Sequence, residues 1–160
     1  MYSFNSNQWT WLAGDDVIIG SNDYALKGIP SDSGAPGGRE SFSMIFQAKT
    51  NSLLLFGGYY HDYGGKNGIL DFDRSLFTAT SLEYYNDVWQ FNLTSYMYTW
   101  QLGDSSPDMA GRYGTKGIAS TFNHPGARGY SSTVYHPGLD AVYTFGGEGF
   151  DILSNLSKCE

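Results

Sequence analysis

Cysteine is nearly absent from this 160-residue chain, Cys159 being the only one. No disulfide can therefore close within it, and its cysteine usage does not reveal a redox compartment. Charge is scarce as well: Asp, Glu, Lys and Arg make up 16% of the residues, against about 25% in an average soluble protein. The nine Lys and Arg are dispersed and the net charge is −7, so no basic stripe exists to neutralise phosphates, and nucleic acid is not expected as a partner. Long apolar runs are missing. The longest, Leu53 to Phe56, falls far short of the ~20 residues that a membrane-spanning helix requires, and no membrane partner is expected. Residues Met1 to Gln8 show neither the basic start nor the apolar core of a secretory signal.

What the chain has in quantity is glycine and aromatic residues: 21 Gly, 13 Tyr, 10 Phe and 4 Trp. Glycine weakens helix interiors, whereas aromatic side chains pack well on a pleated surface. The combination disfavours a helical bundle and predicts an all-β fold of short strands and tight turns.

An internal repeat organises those strands. At an offset of 89 residues, Thr10-Trp11 falls on Thr99-Trp100, Lys27-Gly28-Ile29 on Lys116-Gly117-Ile118, and Pro36-Gly37 on Pro125-Gly126. The same shift carries Arg39 onto Arg128 and Phe56-Gly57-Gly58 onto Phe145-Gly146-Gly147. Over positions 10 to 58 there are 16 identities without a gap, which a chance match of two Gly-rich stretches rarely sustains; a structural unit is duplicated.

Within the first unit, strands are predicted over 41–46, 52–56, 86–91 and 96–102, the third from the alternation of Val88, Trp89 and Phe91 with polar neighbours. Short links between the first and second and between the third and fourth make this a four-stranded antiparallel meander. The second unit repeats the first two strands at 130–135 and 141–145. Residues 2–13 read as the tail of a preceding unit, with Phe4-Asn5 matched to Phe91-Asn92 and a turn two residues shorter.

The order Arg39, Phe56-Gly57-Gly58, Tyr85-Asn86-Asp87-Val88-Trp89 with Phe91, then Trp100 resembles the kelch repeat of β-propellers. Trp9-Thr10-Trp11, Tyr113-Gly114-Thr115-Lys116-Gly117 and Pro125-Gly126-Ala127-Arg128 resemble the galactose oxidase-like subgroup with long linkers between blades. The resemblance runs from Phe4 to Phe150 and fades at Ser154-Asn155-Leu156, where an Asn-Asp-Val-Trp strand is expected. It implies an incomplete kelch-type propeller: residues 1–15 as the outer-strand tail of one blade, 36–104 as a complete blade with a 59–83 insertion, and 105–160 as a linker and the first half of another. Propellers close with about four to eight blades. A piece of this size leaves apolar sheet faces and open edges, so we expect a fragment of a longer protein, an incomplete gene product, or a subunit that gains further blades in cis or by oligomerisation.

Physical roles attach to the repeated residues. Gly57, Gly58, Gly146 and Gly147 end strands where the backbone must turn with positive φ or close approach. Arg39 and Arg128 open the innermost strands, where five guanidinium donors can satisfy several carbonyls. Trp89, Trp100 and Trp11 are expected to fill the wedge between neighbouring sheets.

Function is expected on loops that a rigid scaffold presents. The long segments 15–35, 59–83 and 104–124 are assigned to one end of the meander, and Tyr59, Tyr60, His61 and Tyr63, followed by Gly64-Gly65, are its candidate binding residues. They favour a protein partner, with a carbohydrate partner as the alternative because tyrosine rings stack on sugars. No catalytic, cofactor or metal site is expected. His61, His124 and His136 are widely separated and lack metal-ligand spacing. Asp62, Asp71 and Asp73 lack the regular spacing of a calcium loop, and no Gly-x-Ser-x-Gly elbow or phosphate loop is present. The third alternative, a fragment of an oxidase similar to galactose oxidase, would need copper held by two Tyr and two His with a Tyr cross-linked to Cys. The lone Cys159 sits in no such motif. Asn92-Leu93-Thr94 and Asn155-Leu156-Ser157 match glycosylation acceptors.

Overall fold

The computed structural model describes residues 1–14, 22–62 and 81–159. Among these the regular structure is antiparallel β, with one 3-10 turn at Ala48–Thr50. Strands β1 (Tyr2–Ser3) and β2 (Gln8–Trp9) form a hairpin. Strands β3 (Ser43–Gln47) and β4 (Ser52–Phe56) follow, then a second hairpin of β5 (Tyr59–Asp62) and β6 (Ser81–Tyr84), then β7 (Val88–Asn92) and β8 (Tyr98–Leu102). The second unit contributes β9 (Arg128–Gly129), β10 (Ser132–His136), β11 (Ala141–Phe145), β12 (Gly147–Phe150) and β13 (Leu156–Cys159).

The four-stranded sheet has the order β3-β4-β7-β8, as the meander predicts. The β5–β6 hairpin interrupts it in sequence without entering it. β10 and β11 form a two-stranded sheet, and β12 pairs with both β13 and β9.

The offset of 89 recurs in the backbone. β10 and β11 fall on β3 and β4 residue for residue, and the isolated bridge Asp23↔Ala35 returns as Arg112↔His124. Positive φ angles return in pairs: Ser41 52° with Tyr130 59°, Asn51 49° with Asp140 48°, and Asn7 57° with Tyr96 59°. Left-handed residues are uncommon outside glycine, so three such pairs in one register mark the same local fold formed twice.

β3 and β10 lie side by side. Ser43 Oγ donates to Ser131 O at 2.5 Å, and Tyr130 N donates to Ser41 O at 2.9 Å. At the other end of the strands Asp140 accepts from Lys49 Nζ at 2.6 Å and from Gln47 Nε2 at 3.0 Å. The first sheet turns Ser43, Ile45, Leu54 and Phe56 toward the second, and Phe56 is buried. On its opposite face Trp89 is buried against Tyr24, ring centres 5.3 Å apart.

Four expectations are corrected. The tail hairpin matches Tyr2-Ser3, not Phe4-Asn5, to Phe91-Asn92: the Tyr2↔Trp9 register equals Phe91↔Tyr98, and the turns are equally long. Ladder register, not residue identity, sets the correspondence. Leu156–Cys159 pairs with β12 as β6 pairs with β5, and therefore does not take the place of the Asn-Asp-Val-Trp strand; Ser154 and Asn155 sit in its turn. Trp11 fills no wedge. It is 68% exposed, with Nε1 donating to Ala13 O at 3.0 Å. Finally, the part of segment 15–35 that is described does not gather at a loop end. It runs along the outer edge of the sheet, with Gly28 N donating to Trp100 O and Ser31 bridging Tyr98, because the polar backbone edge of β8 needs cover.

Candidate functional site

The candidate surface is built where β4 ends. Gly57 and Gly58 carry the chain from the sheet into β5 with φ of 62° and 93°. A Cβ on Gly57 would meet Arg128 O at 2.5 Å, and one on Gly58 would meet Glu40 O at 2.7 Å, so backbone, not a movable side chain, occupies that space. Arg39 locks this corner. Its Nη1 donates to Gly57 O at 3.1 Å and to Asp87 Oδ1 at 2.6 Å, its Nη2 donates to Asn22 Oδ1 at 2.6 Å, and its guanidinium lies over the Tyr85 ring at 4.5 Å. Asp87 also accepts from Trp89 Nε1 and from the Tyr24 hydroxyl, each at 2.7 Å. In the second unit Arg128 reproduces the carbonyl contact, donating from Nη1 to Gly146 O at 3.2 Å and from Nε to Gly126 O at 3.0 Å.

Above this corner a phenol and carboxylate cluster joins the units. The Tyr59 and Tyr130 hydroxyls are 2.6 Å apart, Tyr59 OH reaches Glu40 Oε2 at 3.5 Å, and Tyr84 OH donates to Glu148 Oε1 at 3.2 Å. Tyr59, Tyr84 and Ala127 form a buried apolar cluster, with Leu82 and Phe150 packed against it. His61 Nε2 lies 3.9 Å from Glu40 Oε1. Burial, then the Glu148 charge, pushes the Tyr84 phenol up to about 12, and burial followed by Glu83 does the same for Tyr85. The hydrogen bond from Tyr130 leads the causes that raise Tyr59. At neutral pH these phenols are protonated donors and ring surfaces, and Glu40 and Glu148 add acceptors beside them.

A second feature is a cleft of about 690 Å³ between the two sheets, floored by Ile45, Leu54 and Phe56 and faced by Thr133, Val142 and Thr144. At its mouth Asn86 Nδ2 lies 3.2 Å from His124 Nδ1 and donates to Asp104 Oδ2 at 2.9 Å. Asn86 is itself buried and ties both strand ends together, since its Oδ1 accepts from Asp104 N at 2.9 Å.

The sequence-selected residues are brought together in part. Tyr59 is buried in the cluster, and Tyr60 and His61 follow it on β5, both half-buried. Tyr63, Gly64, Gly65, Asp71 and Asp73 lie outside the described residues, as does Asp62 in its side chain. Arg39, Gly57, Gly58, Arg128, Gly146 and Gly147 stand at strand ends and Trp100 on the edge strand β8, while Trp89 is buried on the interior strand β7. Trp100 is half-buried, with Nε1 donating to Leu102 O at 2.8 Å. Among the described residues no three His, Cys, Asp or Glu side chains converge to hold a metal ion.

Sequence reasoning missed Glu40, Tyr84, Tyr130 and Glu148. A partial signal was present: at the offset of 89, Tyr59 falls on Glu148, Ser41 on Tyr130 and Glu40 on Gly129, three of the positions beside repeated residues at which the copies differ. Comparison with family models, curated proteins and solved structures gives no match.

Proposed function

We propose that the chain is part of a kelch-type β-propeller and acts as a protein-binding module, meeting its partner at the end where the β5–β6 hairpin emerges. The observation that carries this reading is the recurrence of the β3–β4 pair as β10–β11 at an offset of 89, with β3 and β10 adjacent, an arrangement suited to sheets set radially about an axis.

Glu40, Tyr130 and Glu148 gather around the buried Tyr59 and Tyr84. Tyrosine hydroxyls beside Glu40 and Glu148, on a chain of net charge −7, favour a partner that brings Lys, Arg and backbone donors, and like-charged partners are disfavoured. The carbohydrate alternative draws less support, because the Tyr59 and Tyr84 rings are buried and offer no open face for stacking.

The test is site-specific photo-crosslinking in cell extract, with the photoreactive residue at Tyr60 on this end or at Thr94 in the β7–β8 turn at the far end. A defined protein captured from Tyr60, absent from Thr94 and lost on Glu40→Lys, is the expected result. Equal capture from both positions, or glycan binding without protein capture, overturns the reading.

A further inference from the structure

Two rings of the phenol cluster are buried, those of Tyr59 and Tyr84, but the third is open: Tyr130 is 60% exposed. It is nonetheless held in place. Its backbone N donates to Ser41 O at 2.9 Å, its hydroxyl lies 2.6 Å from that of Tyr59, and the two rings are tilted by 40° with centres 5.4 Å apart. Glu40 stands on the other side of Tyr59. Its Oε2 meets the Tyr59 hydroxyl at 3.5 Å, long for a bond from a hydroxyl, its Oε1 lies 3.9 Å from His61 Nε2, and its side chain is 61% exposed. One phenol oxygen thus separates an open aromatic face from a carboxylate with acceptor capacity to spare.

The backbone under that ring is strained. Tyr130 has φ 59°, in the left-handed region that bulky side chains rarely adopt and where strain recurs at binding sites. The equivalent residue of the first unit is Ser41, with φ 52°, so the repeat forms without an aromatic at this position. Further strands do not account for the open ring either. Tyr130 is set against Tyr59 of the unit before it, and the offset carries Tyr59 onto Glu148. By the same register, the corresponding residue of a following unit stands against Glu148 and not over Tyr130.

Elsewhere the chain shows what a ring and a carboxylate in this relation hold. Arg39 lays its guanidinium over the Tyr85 ring at 4.5 Å while donating to Asp87 Oδ1 at 2.6 Å. Tyr130 and Glu40 offer the same two surfaces, and among the described residues no cation stands over the Tyr130 ring.

We infer that this end of the molecule recognises an arginine side chain, its guanidinium stacked on the exposed face of Tyr130 and donating to Glu40. The protein-binding reading above supplies the source of that arginine; the site itself stands on the geometry. Arginine is favoured over lysine because a guanidinium is planar, weakly hydrated and able to stack on a ring while donating sideways to a carboxylate. The net charge of −7 favours the approach of a basic segment.

The experiment titrates the full 160-residue chain with a capped Gly-Arg-Gly peptide, followed by NMR from the arginine side-chain protons. Peptides with lysine or with uncharged citrulline in place of arginine are run beside it. Saturable binding is expected, with the arginine methylene protons moved upfield by the ring, weaker binding of the lysine peptide and none of the citrulline peptide. Tyr130→Phe keeps the ring and the binding. Tyr130→Ser and Glu40→Gln each weaken it about two- to fivefold, and serine is compatible with the backbone because Ser41 occupies the equivalent position. No saturable binding, equal binding of the citrulline peptide, or binding as tight in Tyr130→Ser overturns the inference. Photo-crosslinking from Tyr60 separates it from the reading on which it draws. A protein captured equally by the unmodified chain and by Tyr130→Ser overturns this inference and leaves the protein-binding reading standing, whereas arginine binding without any captured protein overturns that reading and upholds the site.

Discussion

Arg39 and Asp87 form an ion pair of 2.6 Å, with side chains 1% and 0% exposed. They are 48 residues apart in sequence and tie the entry to the first strand of the four-stranded sheet, β3, to the start of its third, β7. A pair so fully removed from water persists because its remaining hydrogen-bonding capacity is met by Gly57 O, Asn22, Trp89 and Tyr24.

Removing one partner of such a pair leaves a buried charge without compensation, which costs about 3–5 kcal/mol. Asp87→Asn is therefore expected to lower the urea unfolding free energy by that amount. A change below about 0.5 kcal/mol, the usual range for a surface site, would contradict the role given to the pair.

Gly57 and Gly146 occupy equivalent left-handed positions, φ 62° and 72°, but their surroundings differ. A Cβ on Gly57 meets backbone of the second unit, while a Cβ on Gly146 meets nothing within 4 Å. Both alanine variants pay the left-handed cost of about 1–2 kcal/mol. Gly57→Ala is expected to be the more destabilising, and equal shifts in the urea midpoint would show that the units are not in contact there.

The tryptophans separate in the same manner. Trp89 is buried and Trp11 exposed, so Trp89→Ala is expected to cost about 3–5 kcal/mol. In dilute solution Trp11→Ala changes stability by no more than about 0.5 kcal/mol. Chemical denaturation of the two variants side by side checks this.

Alkaline stability follows from the phenols. Tyr84 and Tyr85 ionise at about 12 in the folded chain against 10.0 when unfolded. The unfolded chain therefore loses those protons first. The stabilisation is complete below pH 10 and declines as pH rises from 10 to 12. Tyr24, also raised by burial, extends the decline. Unfolding followed by circular dichroism should track a late phase of tyrosinate absorbance; full ionisation at pH 10 with the fold intact would contradict the buried phenols.

The strands were legible where glycine and alternation bounded them: 52–56 was read from Leu53 to Phe56 ending at Gly57-Gly58, and β4 has those limits. The β5–β6 hairpin was not, because Tyr59-Tyr60-His61-Asp62 lacks alternation and its partner Ser81–Tyr84 lies 18 residues beyond it. Local pattern cannot announce a pairing of that separation. The tail hairpin was placed two residues out of register because matching Phe and Asn identities overrode the hydrogen-bond ladder. Of the candidate surface, the tyrosines were visible as a cluster, but the burial of Tyr59 depends on Tyr84, Ala127 and Tyr130 arriving from distant segments.

The central claim, that the two units stand side by side through β3 and β10, is tested most directly by a cross-link between Ser43 and Ser131. Their hydroxyl oxygens are 3.3 Å apart, so sulfur atoms in those places would have to approach by little more than 1 Å to reach the S–S length of about 2.05 Å. In a chain carrying Ser43→Cys, Ser131→Cys and Cys159→Ser, mild oxidation is expected to close one intrachain disulfide in the folded protein, read as loss of both free thiols without change of mass class. Two thiols that stay reduced while the chain remains folded would contradict the account.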